Sequence, residues 1–254
     1  MKIKVIKIGG KLIENSDVLA SLSDSLAALD EAFVLVHGGG VMGSQLAEQL
    51  GVEVKMHEGR RITDSATLDI AVMAYAGLAN KRVVAALQAR GVNACGLSGC
   101  DMAVVKSHRR PVKDIDWGFV GDVDEVNAEF LGKLISEGVV PVMAPLTHDK
   151  QGHLLNTNAD TIAGETAKAL ARLFDVTLIF CFEKKGVLRD ENDDDSVIPH
   201  ITRADFDALV ADGTIQGGMI PKLENSFQAI DAGVSRVIIT QASAIDGTQG
   251  TTIC

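Results

Sequence analysis

Residues 2–10 read KIKVIKIGG, a run rich in isoleucine and valine that ends in two glycines. Such residues favour extended backbone, so we predict a β-strand over residues 2–8 that turns at Gly9 and Gly10. Residues 32–40, AFVLVHGGG, repeat the arrangement, with an apolar run that ends in His37 and three glycines. Strands that each lead through a glycine turn into a helix are typical of a parallel α/β sheet.

The alternation of strand-like and helix-like segments continues along the chain. Apolar residues at helical spacing predict helices over residues 18–29, 41–50, 65–90, 128–137, 160–173, 204–211 and 220–232. Further strands are predicted over residues 93–97, 103–107, 139–145, 176–182 and 236–240, and a hairpin over residues 116–123 around Gly118 and Gly121. This order predicts a mostly parallel sheet with helices on both faces.

Composition and the start of the chain narrow the class of protein. The chain has 254 residues, 46% of them hydrophobic, and a net charge of −10 at pH 7. An acidic chain is a poor partner for nucleic acid, because phosphate backbones bind basic surfaces. We see no room for a signal peptide before the first strand, no apolar run long enough to span a bilayer, and no Cys-x-x-Cys pair. We therefore expect a cytoplasmic protein with reduced thiols, no nucleic-acid partner and no membrane contact.

The glycine turn after the first strand is a candidate phosphate site. Glycines let backbone N–H groups approach an anion closely, and Lys7 adds a cation beside Gly9 and Gly10. A plain tight turn beside a solvent-exposed lysine would explain this motif equally well.

The second glycine turn also has two interpretations. Gly38, Gly40 and Gly43 match the Gly-x-Gly-x-x-Gly pattern of dinucleotide-binding turns. Here, however, the pattern follows the second strand, and another glycine pair already ends the first. Two glycine turns on separate strands suit one extended phosphate better than the pyrophosphate of a dinucleotide.

Two later stretches place polar groups at the starts of predicted helices. Residues 156–160 read NTNAD, and helix capping would explain one of these polar residues but not three in five. Residues 217–222 read GGMIPK, in which Lys222 lies in the first turn of a helix. A cation at a helix N-terminus opposes the helix dipole unless an anion binds there.

Together these motifs indicate phosphoryl transfer, in which catalysis is mainly positioning and charge neutralisation. They supply three glycine turns, the two lysines Lys7 and Lys222, and the carboxylate of Asp160. The sequence has no Walker A motif, no Ser-His or Cys-His arrangement and no His-Glu-x-x-His metal motif. Residues 190–195 begin like a calcium loop, but Asp195 stands where that loop needs glycine, so we predict no metal-ligand site there.

In this order the motifs resemble those of the amino acid kinase family over nearly the whole chain. The matching segments are residues 7–10 (KIGG), 37–40 (HGGG), 59–63 (GRRIT), 156–160 (NTNAD) and 218–222 (GMIPK). The last three are the more specific, since aspartokinases, uridylate kinases and carbamate kinases share the glycine turns but differ in the later motifs. They are similar to those of members that phosphorylate an N-acyl-L-glutamate.

The resemblance implies an open αβα sandwich with two lobes. Residues 1–174 would bind the acyl amino acid and form a dimer interface, and residues 175–254 would bind ATP. The implied reaction transfers the γ-phosphoryl group of ATP, accompanied by Mg2+, to the γ-carboxylate of an N-acyl-L-glutamate. N-acetyl-L-glutamate is the leading substrate, which would place the acyl phosphate product in arginine biosynthesis.

The resemblance also implies roles for individual residues. Lys7 and Lys222 would flank the transferring phosphoryl group, and Asp160 would orient both lysines. The other implied roles are phosphate binding by Gly9, Gly10 and Gly39, binding of the acyl amino acid by Gly39, Gly40, Arg61 and Asn156, and nucleotide binding by Glu183, Gly186, Leu188 and Gly218. An arginine suits the α-carboxylate because its guanidinium fork matches a carboxylate in two places.

Two features depart from the family pattern. Residues 183–188 read EKKGVL where relatives show an Asp-Val-x-Gly-Val-Leu type of segment, which leaves the adenine and ribose contacts open. The first strand begins almost at Met1, without the extra helix that joins dimers into hexamers in arginine-inhibited relatives. We therefore expect an arginine-insensitive homodimer, formed through the helix over residues 65–90.

Three alternatives remain open. An N-succinyl-L-glutamate or N-acetyl-aminoadipate kinase would keep the fold and change only the amino-acid pocket. A succinyl group would need an extra cation, which Arg60, Lys55 or His57 could supply. A non-catalytic nucleotide-binding module would be a different class of protein, and it would have no need of Lys7, Asp160 and Lys222 together.

Overall fold

The computed structural model describes the whole chain, Met1–Cys254, and its elements follow the predicted alternation. The strands are β1 Lys2–Ile8, β2 Ala32–His37, β3 Lys55–His57, β4 Arg60–Ile62, β5 Ala94–Leu97, β6 Val105–Arg109, β7 Gly121–Val126, β8 Val140–Met143, β9 Leu146–His148, β10 Leu154–Asn156, β11 Asp175–Phe182, β12 His200–Ile201, β13 Arg236–Gln241 and β14 Thr251–Ile253. The α-helices are α1 Lys11–Glu14, α2 Ser16–Ala27, α3 Gly40–Gln49, α4 Ser65–Ala71, α5 Asn80–Gln88, α6 Ala128–Ser136, α7 Ala159–Leu170, α8 Arg203–Ala211 and α9 Met219–Asp231.

The central sheet has eight strands in the order β12-β14-β13-β11-β1-β2-β8-β5. Every neighbouring pair is parallel except β13 and β14, which confirms the predicted α/β fold with a mostly parallel sheet. Because β1 and β2 are parallel neighbours, the glycine turns that follow them leave the sheet side by side at the same edge. The strands before and after residue 174 meet where β1 pairs with β11, so the sheet runs through both predicted lobes.

Side chains along the strands alternate between two buried cores, one on each face of the sheet. In β1, Ile3 and Val5 belong to the core beneath α6, α7, α8 and α9, whereas Ile6 and Ile8 belong to the core beneath α2 and α5. This two-residue period is that of a strand covered on both faces. Lys7 lies two residues after Val5 and four after Ile3, so its side chain is on the same face of the sheet, the face covered by α7.

The predicted helix over residues 65–90 forms one continuous helical segment, in which a π-helical stretch, Val72–Ala79, joins α4 to α5. Asp64 caps it by accepting a hydrogen bond of 2.8 Å from the backbone N–H of Thr67. By length and composition alone, Ser65–Gln88 could cross a membrane, so the expectation that no run is long enough was wrong. The helix packs against α2, α3 and β5, as the core helix of a folded domain does.

A second sheet of four strands, in the order β10-β9-β6-β7, was not predicted. The predicted hairpin over residues 116–123 was also wrong: β7 pairs with β6, and residues 110–120 form the connection between them. Gly118 adopts a φ of 69° and forms a bridge with Thr63 instead of turning a hairpin. A side chain at Gly118 would collide with the carbonyl group of Thr63, so this long-range contact requires glycine.

Candidate active site

The two glycine turns at the ends of β1 and β2 touch each other. The N–H of Gly38 donates a hydrogen bond of 3.0 Å to the carbonyl oxygen of Ile8. A Cβ atom at Gly38 would lie 3.0 Å from the nitrogen of Gly10, and one at Gly10 would lie 3.2 Å from the nitrogen of Gly39. Both turns therefore need glycine for their backbones to approach this closely. Gly9 precedes the contact and has open space around its Cα.

Lys7 and Asp160 form an ion pair beside these turns. The Nζ of Lys7 lies 2.7 Å from Oδ1 of Asp160, close but not aligned as a hydrogen bond. Lys7 is only 9% exposed, and Asp160 supplies the opposite charge that this nearly buried ammonium group needs. Asn158 caps α7 by accepting hydrogen bonds from the backbone N–H groups of Asp160 and Thr161. The carboxylate of Asp160 is therefore not used as the cap.

The aromatic ring of Phe182, at the end of β11, lies beneath both candidate lysines. The Nζ of Lys222 is 3.9 Å from the ring centroid and that of Lys7 is 5.4 Å from it. Burial lowers the pKa of Lys222, Asp160 opposes this, and the positive charge of Lys7 adds to it. Two ammonium groups over one ring, with a single carboxylate beside them, leave a net positive charge that favours binding of an anion.

Most of the predicted site residues line one cavity of about 440 Å³. They are Gly39, Gly40, Arg61, Asn156, Asp160, Gly218 and Lys222. Lys7, Gly9 and Gly10 do not line the cavity themselves. Lys7 contacts the lining residue Asp160, and Gly10 contacts the lining residue Gly39. A second cavity of about 640 Å³ lies against strands β6, β7 and β10, and none of the predicted residues lines it.

Arg61 enters the cavity from the β3–β4 hairpin. Its Nη2 donates hydrogen bonds of 3.0 Å to the carbonyl oxygen of Gly40 and 2.9 Å to Oγ of Ser44, whereas its Nη1 is buried and has no hydrogen-bond partner. Asn156, at the end of β10, donates a hydrogen bond of 3.0 Å to Oγ1 of Thr63. Nη2 is thus anchored, whereas Nη1 is an unsatisfied buried donor, and the guanidinium also lies against the hydroxyl of Tyr75.

Three of the four residues predicted to bind nucleotide lie outside this cavity. Glu183 is exposed, and its carboxylate is 2.6 Å from the Nζ of Lys11, which lowers the pKa of Glu183. Gly186 packs against Val197 and Thr251, and Leu188 is buried in a bridge with Val197. Only Gly218, just before α9, lines the cavity.

Several aromatic and basic side chains of the cavity were missed in the sequence. Tyr75, from the π-helical segment, lies where a side chain at Gly39 would have to be, and Trp117 and Arg110 come from the connection before β7. Tyr75 and Trp117 are the single tyrosine and tryptophan of the chain, which was the one available signal. Asp122 holds the guanidinium of Arg110 through contacts of 2.6 to 3.2 Å.

Known proteins similar to this chain share both its sequence and its fold. An acetylglutamate kinase of Bacteroides thetaiotaomicron is 66% identical over 252 residues, or 99% of this chain and 98% of the relative. An acetylglutamate kinase of Phocaeicola vulgatus is 65% identical over the same shares. Among solved structures, smu.665 from Streptococcus mutans UA159 has a TM-score of 0.80 at 31% identity, covering 99% of this chain and 98% of that one. A family model, described as the amino acid kinase family, matches residues 2–241. With nearly its whole length matched, the chain belongs to the amino acid kinase family.

Proposed function

We propose that this protein transfers the γ-phosphoryl group of ATP to the γ-carboxylate of N-acetyl-L-glutamate, a step of arginine biosynthesis. The observation that carries the proposal is the convergence of Lys7, Asp160 and Lys222 around Phe182, at the edge where two glycine turns meet. Relatives named acetylglutamate kinase, at 62 to 66% identity over 99% of this chain, support the choice of acceptor.

In this reaction the phosphoryl group passes directly between the substrates, and the protein forms no covalent bond to it. A γ-carboxylate oxygen attacks the γ-phosphorus, the bond from that phosphorus to the β,γ-bridging oxygen breaks, and ADP leaves. Negative charge then spreads over the phosphoryl oxygens and the leaving oxygen. Lys7 and Lys222 would offset this charge, Asp160 would hold the lysines in place, and the N–H groups of Gly10 and Gly39 would donate to phosphoryl oxygens, with Gly9 shaping the turn.

The acyl amino acid would bind beneath the β3–β4 hairpin. Its α-carboxylate would pair with the guanidinium of Arg61, which retains a hydrogen-bond donor, Nη1, without a partner. Asn156 and the backbone of Gly39 and Gly40 would bind the rest of the molecule. Their place in the same cavity supports this assignment.

ATP would bind on the side of residues 175–254, with its phosphates at the start of α9, where Gly218 and Lys222 line the cavity. Glu183, Gly186 and Leu188 belong to the segment that follows Phe182, so we assign this segment to the surroundings of the adenosine. Mg2+ would accompany ATP and be held mainly by the phosphate oxygens, since the carboxylate of Asp160 is already paired with Lys7. It would neutralise phosphate charge there.

The setting we propose is a cytoplasmic homodimer with the acyl amino acid site on residues 1–174. Met73 and Leu78, on the π-helical stretch of the long helix, are 47% and 44% exposed. Large apolar side chains exposed on one helix support its use as an interface with a second copy.

N-succinyl-L-glutamate is a second candidate acceptor, because the cavity contains guanidinium groups beyond the one assigned to the α-carboxylate. Arg60 and Arg110 line it together with Arg61, whereas Lys55 and His57 do not. Asp122 already neutralises Arg110. Arg60 is therefore the cation best suited to the second carboxylate of a succinyl group.

One assay tests the reaction and the acyl group together. The protein is incubated with ATP, hydroxylamine and one of three acids: N-acetyl-L-glutamate, N-succinyl-L-glutamate or N-acetyl-aminoadipate. An acyl phosphate is trapped as the hydroxamate, and kcat/KM identifies the acceptor. We expect hydroxamate and ADP in equal amounts with the acetyl compound. A clear preference for the succinyl compound would replace the acceptor, and no hydroxamate with any acid would refute a carboxylate kinase.

A further inference from the structure

His37 ends β2 immediately before the second glycine turn, and it is completely buried. Its Nδ1 lies 2.8 Å from the carbonyl oxygen of Gly38, and its Nε2 lies 3.1 Å from Nδ2 of Asn80. Neither phosphate binding nor the acyl amino acid site uses this side chain. A buried imidazole with both nitrogens occupied calls for a structural reason.

The partners of His37 fix which ring nitrogen carries the proton. Nδ2 of Asn80 also donates a hydrogen bond of 2.9 Å to the carbonyl oxygen of Val142, so this atom must be the amide nitrogen. It can therefore only donate to Nε2, which leaves the proton on Nδ1. Nδ1 then donates to the carbonyl oxygen of Gly38. Burial lowers the pKa of His37 to about 4, so the ring is neutral near pH 7.

This hydrogen bond fixes the orientation of the Gly38–Gly39 peptide. In a trans peptide the C=O and the following N–H point in opposite directions. With the carbonyl of Gly38 held towards the buried imidazole, the N–H of Gly39 points away from it, and Gly39 lines the cavity.

Asn80 holds the other ring nitrogen of the imidazole, Nε2. It is the first residue of α5, where the π-helical stretch ends, and it connects this helix to β2 and β8 through His37 and Val142. Its Oδ1 accepts a hydrogen bond of 3.1 Å from Nζ of Lys81. All polar atoms of the Asn80 side chain are thus bonded, as a rigid buried network requires.

We propose that His37 and Asn80 are positioning residues for phosphoryl transfer, which hold the Gly38–Gly39 peptide so that the N–H of Gly39 faces the phosphoryl group. The inference rests on the proposed function. It concerns the rate of the chemical step, because a donor that meets charge developing in the transition state acts on kcat more than on substrate binding.

Two amide substitutions separate this role from simple core packing. In His37→Asn the amide nitrogen takes the place of Nδ1 and can still donate to Gly38, whereas in His37→Gln the amide takes the place of Nε2 and that donor is lost. We expect His37→Gln to lower kcat about tenfold or more below His37→Asn, with similar KM values for both substrates. Equal kcat values for two folded variants would overturn the proposal.

A measurement on the unmodified chain covers the case in which a variant does not fold. Long-range 1H–15N correlation spectra of the full protein report the tautomer of each histidine. We expect a neutral His37 protonated at Nδ1, and a proton on Nε2 would overturn the proposal without reference to activity. If the unmodified protein forms no acyl phosphate, the proposed function fails whatever the tautomer. If it forms acyl phosphate and the two variants match, only the positioning role fails.

Discussion

The ammonium nitrogen of Lys7 lies 2.7 Å from a carboxylate oxygen of Asp160, and this ion pair joins the end of β1 to the first turn of α7. Lys222 reaches the same place from α9, over the ring of Phe182. Three distant parts of the chain thus meet beside the glycine turns. Each charge can be removed by itself, which separates charge that acts in catalysis from charge that only stabilises the fold.

Lys7→Ala and Lys222→Ala should each lower kcat by about two orders of magnitude or more, with smaller changes in KM. Each removes a cation that would offset charge in the transition state. Lys4→Ala is the matched control, because Lys4 lies on the same strand and forms a 2.6 Å ion pair with Glu31 outside the cavity. Steady-state kinetics would exclude either lysine from the site if its variant keeps the kcat of the control.

Asp160→Asn should lower both kcat and stability. It leaves Lys7, nearly buried, without an opposite charge, which costs on the order of 1–3 kcal/mol of unfolding free energy. Asn127→Ala is the control, since it removes the cap of α6 at a cost of about 1 kcal/mol and should leave kcat unchanged. Urea unfolding and kinetics on both variants give the comparison. Normal kcat in Asp160→Asn would remove Asp160 from the catalytic group.

Arg61→Lys should raise KM for the acyl amino acid well above its effect on KM for ATP. A single ammonium group cannot both keep the contacts to Gly40 and Ser44 and pair with a carboxylate. Arg109→Lys, at the other cavity, should leave both KM values unchanged. An equal rise in the two KM values after Arg61→Lys would argue against a contact with the α-carboxylate.

The stability of the protein should depend on His37 in weakly acidic solution. The pKa of His37 is about 4 in the folded protein, compared with 6.5 for an unperturbed histidine. As the pH falls, the imidazole is therefore protonated in the unfolded chain before it is protonated in the folded protein. The contribution of the neutral His37 to the unfolding free energy is therefore complete above pH 6.5 and is lost as the pH falls towards 4. Between about pH 7.5 and about pH 5 the unfolding free energy should fall by about 2 kcal/mol more in the unmodified protein than in His37→Asn. Parallel pH dependences would show that His37 is not buried neutral.

Met73→Glu combined with Leu78→Glu should convert a dimer into monomers. Both side chains are exposed on the long helix, and charges there would repel across a two-fold axis. Val112→Glu is the control, because Val112 is 61% exposed in the connection between β6 and β7. Light scattering at working concentration gives the mass. A monomeric or hexameric unmodified protein would contradict the dimer, and strong inhibition by arginine would contradict the expected insensitivity.

The sequence predicted the parts of the fold that have a local signal. The strands β1 and β2 are apolar runs that end in glycine, and Lys7, Asp160 and Lys222 each lie beside a helix start or turn that identifies them. Parallel pairing of β1 with β2 then brings the glycine turns together. The helix after Asp64 was also predicted, although its π-helical stretch has no distinct pattern.

The parts of the fold and of the candidate site that were not predicted depend on contacts between residues far apart in the sequence. Strands β9 and β10 are three residues long and gain their pairing from one another, and Gly118 is fixed by Thr63, far from it in sequence. A single tyrosine or tryptophan has no periodicity, so Tyr75 and Trp117 could not be assigned to the cavity. The positions of Gly186 and Leu188 follow from packing against Val197, which nothing in the EKKGVL segment reveals.

Isotope transfer tests the central claim, that a substrate carboxylate oxygen attacks the γ-phosphorus of ATP. N-acetyl-L-glutamate with 18O in both γ-carboxylate oxygens is incubated with ATP, the protein and hydroxylamine. Hydroxylamine attacks the carbonyl carbon of the acyl phosphate and releases phosphate that keeps the bridging oxygen. We predict one 18O atom in each phosphate released with hydroxamate, whereas phosphate free of 18O would show hydrolysis of ATP by water and contradict carboxylate phosphorylation.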